Sequence, residues 1–314
     1  MTNRRSYFAG CFGWVAMLCM MGCSGDDSVS SSATPTPRAC LGATHLCDRT
    51  LPEITLAATH NAFSYADGGD VVYLYPNQDL PIPDQLAYGI RALGIRPCPY
   101  FGSEKSEKGK VYVTHNSSLK GALGEEPLLG ILQNVKKFLD DNPNEVVEFL
   151  AESTVTPAEI ANVFEQAGLT SYLYEHDAKK GWPTIGEMID SGKRIVFFND
   201  SQDADRPAWQ LYMWDFIVDT DYNITDESQF KCEYYRGNAS NPLYFLNQFI
   251  YKDLGNDIFV PDKINAQTAN DPTKALARAK KCQTEKSRQP NFIYVDWFGQ
   301  GNVKQVVDAL NQPQ

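Results

Sequence analysis

The sequence has few histidines, no excess of basic residues and no closely paired cysteines, and each shortage excludes a class of function. Only four histidines occur in 314 residues, so imidazole chemistry has few possible sources: His45, His60, His115 and His176. The formal net charge of −11 is unlike that of a nucleic-acid-binding protein, which presents a basic face. The eight cysteines lack the C-x-x-C spacing of a zinc module.

What is present indicates an acidic, folded protein. Hydrophobic residues make up 43% of the chain and aromatic residues 12%, which is enough for a large core. The length corresponds to one large or two ordinary domains. We therefore expect a globular enzyme that does not bind nucleic acid.

Residues 1–22 have the pattern of an export signal. Arg4 and Arg5 precede an apolar stretch that ends at Met21. This stretch is shorter than the about 20 residues needed to span a bilayer. The Gly22-Cys23 step resembles a bacterial lipoprotein cleavage site, with ordinary signal cleavage as the alternative. We expect an exported protein, either a cell-envelope lipoprotein or a secreted one.

The rest of the chain divides by composition into a tether and a folded domain. Residues 23–39 are rich in Ser, Thr and Pro, which predicts a flexible tether. Residues 40–314 are expected to form the folded domain. A tether would hold this acidic domain near a membrane whose anionic lipids repel it.

Export would place the remaining cysteines in an oxidising compartment. We propose the pairs Cys40–Cys47 and Cys232–Cys282, which leave Cys98 unpaired. Other pairings stay open, because spacing alone does not determine connectivity.

From residue 50 onward, eight strand-like runs alternate with helical patterns or long loops. The predicted strands are Ile54–Ala58, Ile90–Ile95, Val111–Thr114, Glu145–Leu150, Arg194–Phe198, Phe216–Val218, Leu243–Leu246 and Phe292–Val295. The predicted helices are Pro127–Asp141, Pro157–Ala167, Thr184–Ser191, Asp271–Lys281 and Asn302–Leu310. This order predicts an α/β fold, a (β/α)8 TIM-type barrel. A doubly wound sheet is the alternative, although no glycine-rich nucleotide loop follows the first strand.

Polar residues gather where the predicted strands end, and in such a barrel those ends share one rim. In chain order they are His60-Asn61, Arg96, His115-Asn116, Glu152, Asn199-Asp200, Asp219, Asn247-Gln248 and Asp296. Two histidines beside an arginine suit phosphoryl transfer, in which one imidazole accepts a proton and another donates one. Asp296 could orient His60, and Arg96 offers a planar cation to phosphoryl oxygens. His45 and His176 are expected to be surface groups.

Several motifs at these positions, in this order, resemble one known family. They are Ala58-Thr59-His60-Asn61-Ala62, the strand from Gly89 to Arg96, Val113-Thr114-His115, the segment from Phe138 to Val147, Trp182-Pro183-Thr184 and Val295-Asp296-Trp297. From about residue 40 to 310 the chain is similar to the X-domain family of phosphatidylinositol-specific phospholipases C. It is most similar to the secreted branch of phospholipase C-like phosphodiesterases.

The resemblance implies a role for each of four residues. His60 would be the general base, His115 the general acid, Arg96 the phosphate clamp and Asp296 the partner of His60. The family attacks phosphorus with the inositol 2-hydroxyl and releases diacylglycerol and a cyclic inositol phosphate. The implied partner is therefore a phospholipid or other phosphodiester, reached at a membrane surface peripherally or through a lipid anchor.

The resemblance also bears on calcium. Calcium-dependent members carry acidic ligands at the positions of Gly94 and Arg96, whereas Asn61 and Glu152 match their remaining ligand positions. Because a guanidinium would repel a divalent cation, we expect no metal and no cofactor, with calcium bound by Asn61 and Glu152 as the disfavoured alternative. Asn61 and Glu152 are then assigned to substrate binding.

Three other functions remain open. The first is phosphodiester cleavage with a different head group, and the second is a binding protein on a phospholipase-like barrel that has lost catalysis. Gly94 and Asn61 favour the binding protein, whereas retention of the two histidines disfavours it. The third, a glycosidase, would need Glu152 and Asp296 to face each other and would leave the histidine pair without a role.

Overall fold

Short apolar runs form the strands, and the longest of them are buried along their whole length. Each residue of Val147–Ala151 and of Ile195–Asn199 is buried, as expected for parallel strands covered on both faces. In this computed structural model, residues 38–69, 71–115, 117–256 and 258–313 are described. The described strands are β1 (Leu56–Thr59), β2 (Ala92–Ile95), β3 (Pro97–Pro99), β4 (Val111–Thr114), β5 (Glu125–Pro127), β6 (Val147–Ala151), β7 (Ile195–Asn199), β8 (Gln210–Tyr212), β9 (Ile217–Asp219), β10 (Leu243–Asn247), β11 (Tyr251–Asp253), β12 (Phe259–Pro261) and β13 (Phe292–Val295).

Helices between the strands begin at recognisable capping residues. Thr156 caps α3 by accepting a hydrogen bond from the backbone N–H of Glu159, as its Thr-Pro start indicates. The described α-helices are α1 (Ile82–Tyr88), α2 (Leu128–Asp141), α3 (Pro157–Gln166), α4 (Ile185–Asp190), α5 (Met213–Phe216), α6 (Lys263–Ala269), α7 (Pro272–Lys286) and α8 (Val303–Leu310).

Eight parallel strands form a curled sheet in the order β8-β7-β6-β2-β1-β13-β10-β9. The end strands β8 and β9 are consecutive in the chain and are joined by the short helix α5. Alternate side chains fill the inside of the sheet, among them Ala58, Phe198 and Phe245, and the others pack against the helices. The predicted (β/α)8 fold is confirmed.

One of the eight predicted barrel strands does not belong to the barrel. Val111–Thr114 is a strand with the predicted bounds, but it lies in a separate three-stranded antiparallel sheet, β3-β4-β5. The barrel strand that the sequence did not reveal is Gln210–Tyr212. It is three residues long and contains no β-branched residue, so it has little of the pattern that predicts a strand.

The small sheet still brings His115 to the rim of the barrel. β3 begins directly after Arg96, and β4 runs antiparallel to it, with Pro97 opposite Val113. The backbone N–H of Thr114 donates to the carbonyl of Arg96. His115 therefore lies beside the carboxyl end of β2, although its own strand is outside the barrel.

The predicted disulfides are both present. Cys40–Cys47 closes a loop at the start of the domain, and Cys232–Cys282 ties the β9–β10 loop to α7. Cys98 is free and buried.

The chain divides into two units, Met1–Thr36 and Pro37–Gln314, and the described residues belong to the second. The proposed export signal (1–22), Cys23 and nearly all of the tether lie outside the described residues, as does Asn116. Among the helices that the structure describes, none is long and apolar enough to cross a membrane.

Candidate active site

His60 lies immediately after β1 and is paired with Asp296, which follows β13. β1 and β13 are neighbours in register, so the residues after their ends meet. The Nδ1–H of His60 donates to Oδ1 of Asp296 at 3.0 Å, and both side chains are buried. This bond makes Nδ1 the protonated nitrogen and leaves the lone pair on Nε2.

Asn61 turns the chain sharply away from β1. Its φ of 45° is left-handed, a conformation that Asn adopts more readily than most residues. Its amide Nδ2 lies 3.2 Å from His60 Nε2 and also donates to Oδ1 of Asn77 at 3.2 Å. Asn61 thus contacts the nitrogen of His60 that bears the lone pair.

Asn77 is a site residue that the sequence analysis missed. It is fully buried, and its Nδ2 donates to Oδ1 of Asp296 at 2.9 Å. The neighbouring Gln78 is also buried and donates to the carbonyls of His60 and Val295. Both belong to the loop between β1 and α1, where a polar Asn-Gln pair carries no signal that it folds inward.

Aromatic rings surround His60 and fix its plane. Phe249 stacks on the imidazole with ring centroids 4.4 Å apart and an interplanar angle of 16°. The rings of Tyr294 and Tyr251 lie 5.3 and 6.3 Å away. The imidazole is therefore shielded from water and can rotate little.

Arg96 connects His115 and Glu152. Its Nη1 donates to the backbone carbonyl of His115 at 3.0 Å, and its Nη2 lies 3.1 Å from Oε2 of Glu152. Burial raises the pKa of Glu152, but the positive charges of Arg96, His60 and Arg236 outweigh burial and lower it overall. Glu152 is therefore ionised at neutral pH.

The protonated, cationic form of His115 is strongly disfavoured. Burial, then the charges of Arg96 and His60, lower the pKa of His115 to about 3. Among the described residues, its buried Nδ1 has no hydrogen-bond partner. The imidazole is therefore neutral at neutral pH, and one of its nitrogens is available to a ligand.

Other strand-end residues are held by protein partners. Asp219 accepts hydrogen bonds from the guanidinium and from the backbone N–H of Arg236. The guanidinium of Arg236 also lies against the rings of Trp214 and Tyr222. Asp200 accepts a hydrogen bond from the backbone N–H of Ser153, which lowers the pKa of Asp200. Burial has the larger effect and raises that pKa overall. The amides of three further residues make only internal hydrogen bonds: Asn199, Asn247 and Gln248.

A small cavity of about 30 Å³ lies next to Glu152 inside the rim. Its polar lining comes from Glu152, Asp219, Arg236, Trp214 and Tyr294. The cavity has room for about one water molecule or hydroxyl group, to which the carboxylates, the guanidinium and the phenol can hydrogen-bond.

Two features of the site disfavour a calcium ion. Tyr294 occupies the space that a side chain at Gly94 would need, and Arg96 places a cation beside it. Among the described residues, no group of three or more His, Cys, Asp or Glu side chains is arranged to hold a metal ion.

The Asn77 contacts lead to a testable expectation. Asn77→Ala removes a hydrogen bond to a buried carboxylate, an interaction of about 1.5–3 kcal/mol. For the phosphodiester cleavage that the family resemblance implies, we expect kcat to fall about 10- to 100-fold with little change in KM, because the His60–Asp296 pair loses its alignment. Asn142→Ala is the matched control, since Asn142 donates to Phe138 at the opposite end of the barrel. Equal kcat values for the two variants would contradict this role.

A curled parallel sheet with two histidines, an arginine and carboxylates at its carboxyl rim defines a phospholipase C-like barrel. The family model described as PI-PLC X 1 matches residues 46–311. The chain therefore belongs to the PI-PLC X family, and the resemblance in the motifs is confirmed.

Known relatives agree with this assignment. The chain is 27% identical over 299 residues to "PI-PLC X domain-containing protein 1" of Arthroderma benhamiae, covering 90% of this chain and 93% of that protein. It is 28% identical over 310 residues to a protein of the same fungus described as "Uncharacterized secreted protein", covering 90% and 67%. The fold is similar to a phosphatidylinositol-specific phospholipase C from Staphylococcus aureus, with a TM-score of 0.57, 17% identity and coverage of 85% and 95%.

Proposed function

We propose that the protein is an exported phosphodiesterase that cleaves a phosphoinositide-like phosphodiester by paired-histidine acid–base catalysis. The observation that carries the proposal is the His60–Asp296 pair, whose Nε2 lone pair lies at the same rim as Arg96 and His115. The relative described as secreted supports export.

His60 acts as the general base. Its Nε2 accepts the proton of a substrate hydroxyl next to the phosphate as that hydroxyl attacks phosphorus. Asp296 then stabilises the imidazolium through the Nδ1–H bond, and Asn77 holds Asp296 in place. Asn61, which contacts Nε2 in the free protein, exchanges that contact for the substrate.

His115 acts as the general acid and donates a proton to the leaving oxygen. In the free protein the pKa of His115 is about 3, so its imidazole is neutral at neutral pH. A bound phosphodiester brings a negative charge that offsets Arg96 and raises the pKa of His115. Substrate binding therefore promotes the protonated form that catalysis needs.

Arg96 and Glu152 complete the polar site. The Arg96 guanidinium binds the phosphoryl oxygens, where negative charge grows during attack. Glu152 aligns the guanidinium and lines the adjoining cavity, where it accepts hydrogen bonds from head-group hydroxyls. That cavity has room for about one hydroxyl group, so it favours a head group that carries a hydroxyl at this position.

We propose that the reaction needs no metal, because Arg96 and Tyr294 fill the space that ligands for an ion would need. The test is cleavage of phosphatidylinositol by the purified mature protein, with and without a chelator. Equal rates are expected in both conditions. Absence of turnover on phosphatidylinositol and on other phosphodiesters, combined with tight binding, would support the binding-protein alternative instead.

Exposed apolar side chains lie on the same side of the barrel as the site and support access to a membrane. Each large apolar residue that is exposed in the described part of the chain lies in a connection that follows the carboxyl end of β1, β2, β9 or β10. They are Val72, Leu74, Tyr75, Leu80, Leu119, Tyr235, Leu254, Ile258, Phe259 and Ile264. We name these residues the apolar rim. Burial of such side chains at a lipid surface stabilises binding without attraction between charges, which suits this acidic protein.

Removal of part of the apolar rim should weaken membrane binding. Ile258 and Phe259 lie in the β11–β12 hairpin and are about half exposed. For I258D/F259D we expect at least about tenfold weaker binding to phosphatidylcholine vesicles that contain phosphatidylinositol, because two apolar contacts of roughly 1.5–3 kcal/mol each are lost. Cleavage of a short-chain, soluble substrate should change little.

Thr170→Asp is the control, because Thr170 is exposed at the amino ends of the strands. Vesicle co-sedimentation measures binding. Equal binding by the double variant and the control would exclude the apolar rim as the membrane contact.

A further inference from the structure

A tyrosine hydroxyl lies where the side chain of residue 94 would project. A Cβ atom at Gly94 would overlap the hydroxyl oxygen of Tyr294 and would lie 2.9 Å from the carbonyl oxygen of Thr59. Position 94 must therefore be glycine, because the space for a side chain there is taken by the tyrosine from β13, two strands away in the sheet. The glycine that departs from the family pattern and Tyr294 are one structural unit.

This position places the hydroxyl next to the phosphate clamp. Gly94 lies in β2 and Arg96 directly follows the last residue of that strand, so side chains at these two positions project on the same side of the sheet. Tyr294 therefore lies below the Arg96 guanidinium, on the floor of the site. Its ring is fixed between Phe245, at 4.6 Å, and His60, at 5.3 Å.

The hydroxyl is a donor without a protein acceptor. Within the described residues it forms no hydrogen bond, although it lines the cavity beside Glu152. Burial raises the pKa of Tyr294 well above its ordinary value, so the phenol keeps its proton. A rigid, protonated phenol in a cavity wall is poised to donate to an anionic ligand.

We propose that Tyr294 is a further substrate-binding residue, which donates a hydrogen bond to a non-bridging oxygen of the phosphodiester alongside Arg96. This inference rests on the proposed function. In this chain position 94 carries no charge, and the Tyr294 phenol that fills the space beside it is a neutral donor. The phosphoryl group can therefore accept a hydrogen bond there without facing a negative charge.

Tyr294→Phe removes the hydroxyl and keeps the ring. We expect kcat/KM on phosphatidylinositol to fall about 10- to 100-fold, the effect of losing one hydrogen bond to a charged group. The unfolding temperature should change little because the packing surface is retained. Tyr88→Phe is the control; that hydroxyl donates to Asn302 outside the site, and its loss should leave kcat/KM unchanged.

A sulfur-substituted substrate separates binding of the phosphoryl oxygen from a structural effect. Each stereoisomer of a phosphorothioate analogue places sulfur, a weak hydrogen-bond acceptor, at a different non-bridging position. In the wild type, the isomer with sulfur facing Tyr294 should react more slowly. In Tyr294→Phe the rate reduction caused by sulfur should become smaller for that isomer alone. The ratio of the cleavage rates of the two isomers should therefore change about tenfold. An unchanged ratio would overturn the proposal.

The outcomes for Tyr294 and for the proposed function are distinguishable. If the wild type does not cleave any phosphodiester faster than the His60→Ala variant, the proposed function fails and this inference fails with it. If the wild type cleaves phosphatidylinositol and Tyr294→Phe cleaves it equally fast, only the role of Tyr294 is excluded.

Discussion

His60→Ala is expected to lower kcat/KM on phosphatidylinositol by about 1,000- to 10,000-fold, the contribution of a general base positioned within the site. The physical reason is that Nε2 of His60 carries the lone pair at the rim, while Asp296 fixes the other nitrogen. Without the imidazole, the attacking hydroxyl has no acceptor for its proton. The fold decrease in kcat/KM should be the same for substrates with different leaving groups, because the base removes a proton from the nucleophile and not from the leaving group.

The design must separate lost chemistry from lost folding. His60 packs against Phe249, so alanine leaves a cavity; His60→Gln retains more of the volume and should show the same loss. Thermal unfolding of both variants tests the fold. His45→Ala is the control, since His45 contacts the carbonyl of Asn311 away from the site. Retention of more than about one tenth of the wild-type rate in a folded His60 variant would refute the assignment.

His115→Ala is expected to cause a loss of similar size on phosphatidylinositol, but one that depends on the leaving group. A general acid matters most when the departing oxygen is strongly basic. The leaving group of a nitrophenyl phosphodiester needs no proton. On this substrate, His115→Ala should lower kcat/KM only about tenfold, whereas His60→Ala should lower it as much as on phosphatidylinositol. Equal losses for His115→Ala on both substrates would argue against an acid role.

The low pKa of His115 also predicts how stability depends on pH. An unfolded chain binds a proton to this histidine near pH 6.5, whereas the folded protein binds it only near pH 3. Since the unfolded state binds more protons between these values, stability is full above pH 6.5 and falls as the pH is lowered toward 3. His115→Gln should make that fall less steep. Denaturant unfolding at pH 7 and pH 5 measures the difference, and parallel profiles for both proteins would contradict it.

Most of the barrel could be predicted because its strands are local apolar runs. β6, β7 and β10 are each five consecutive buried residues, and three of the four residues of β13 are buried, which sets these strands apart from their polar surroundings. β8 could not be predicted in this way. Its three residues become a strand only because they pair with the end of β7, a contact between residues thirteen positions apart.

The candidate site was partly predictable for a related reason. Residues after parallel strands share one rim, so the positions of His60, Arg96, Glu152 and Asp296 in the sequence already indicated that they converge. His115 was assigned to the right place for the wrong reason. It reaches the rim because β4 folds back on β3, not because β4 is a barrel strand.

Taken alone, the sequence determined the alternation of strands and helices, the histidines and arginine at strand ends and the family, because each of these depends on residue type and spacing. Only the tertiary structure decided which cysteines pair, that Asn77 bonds to Asp296, and that Tyr294 fills the space that a side chain at Gly94 would need. Except for the Cys40–Cys47 disulfide, these features depend on contacts between segments far apart in the chain. Such contacts are set by how the sheet curls and where its loops fold, and residue spacing does not encode them.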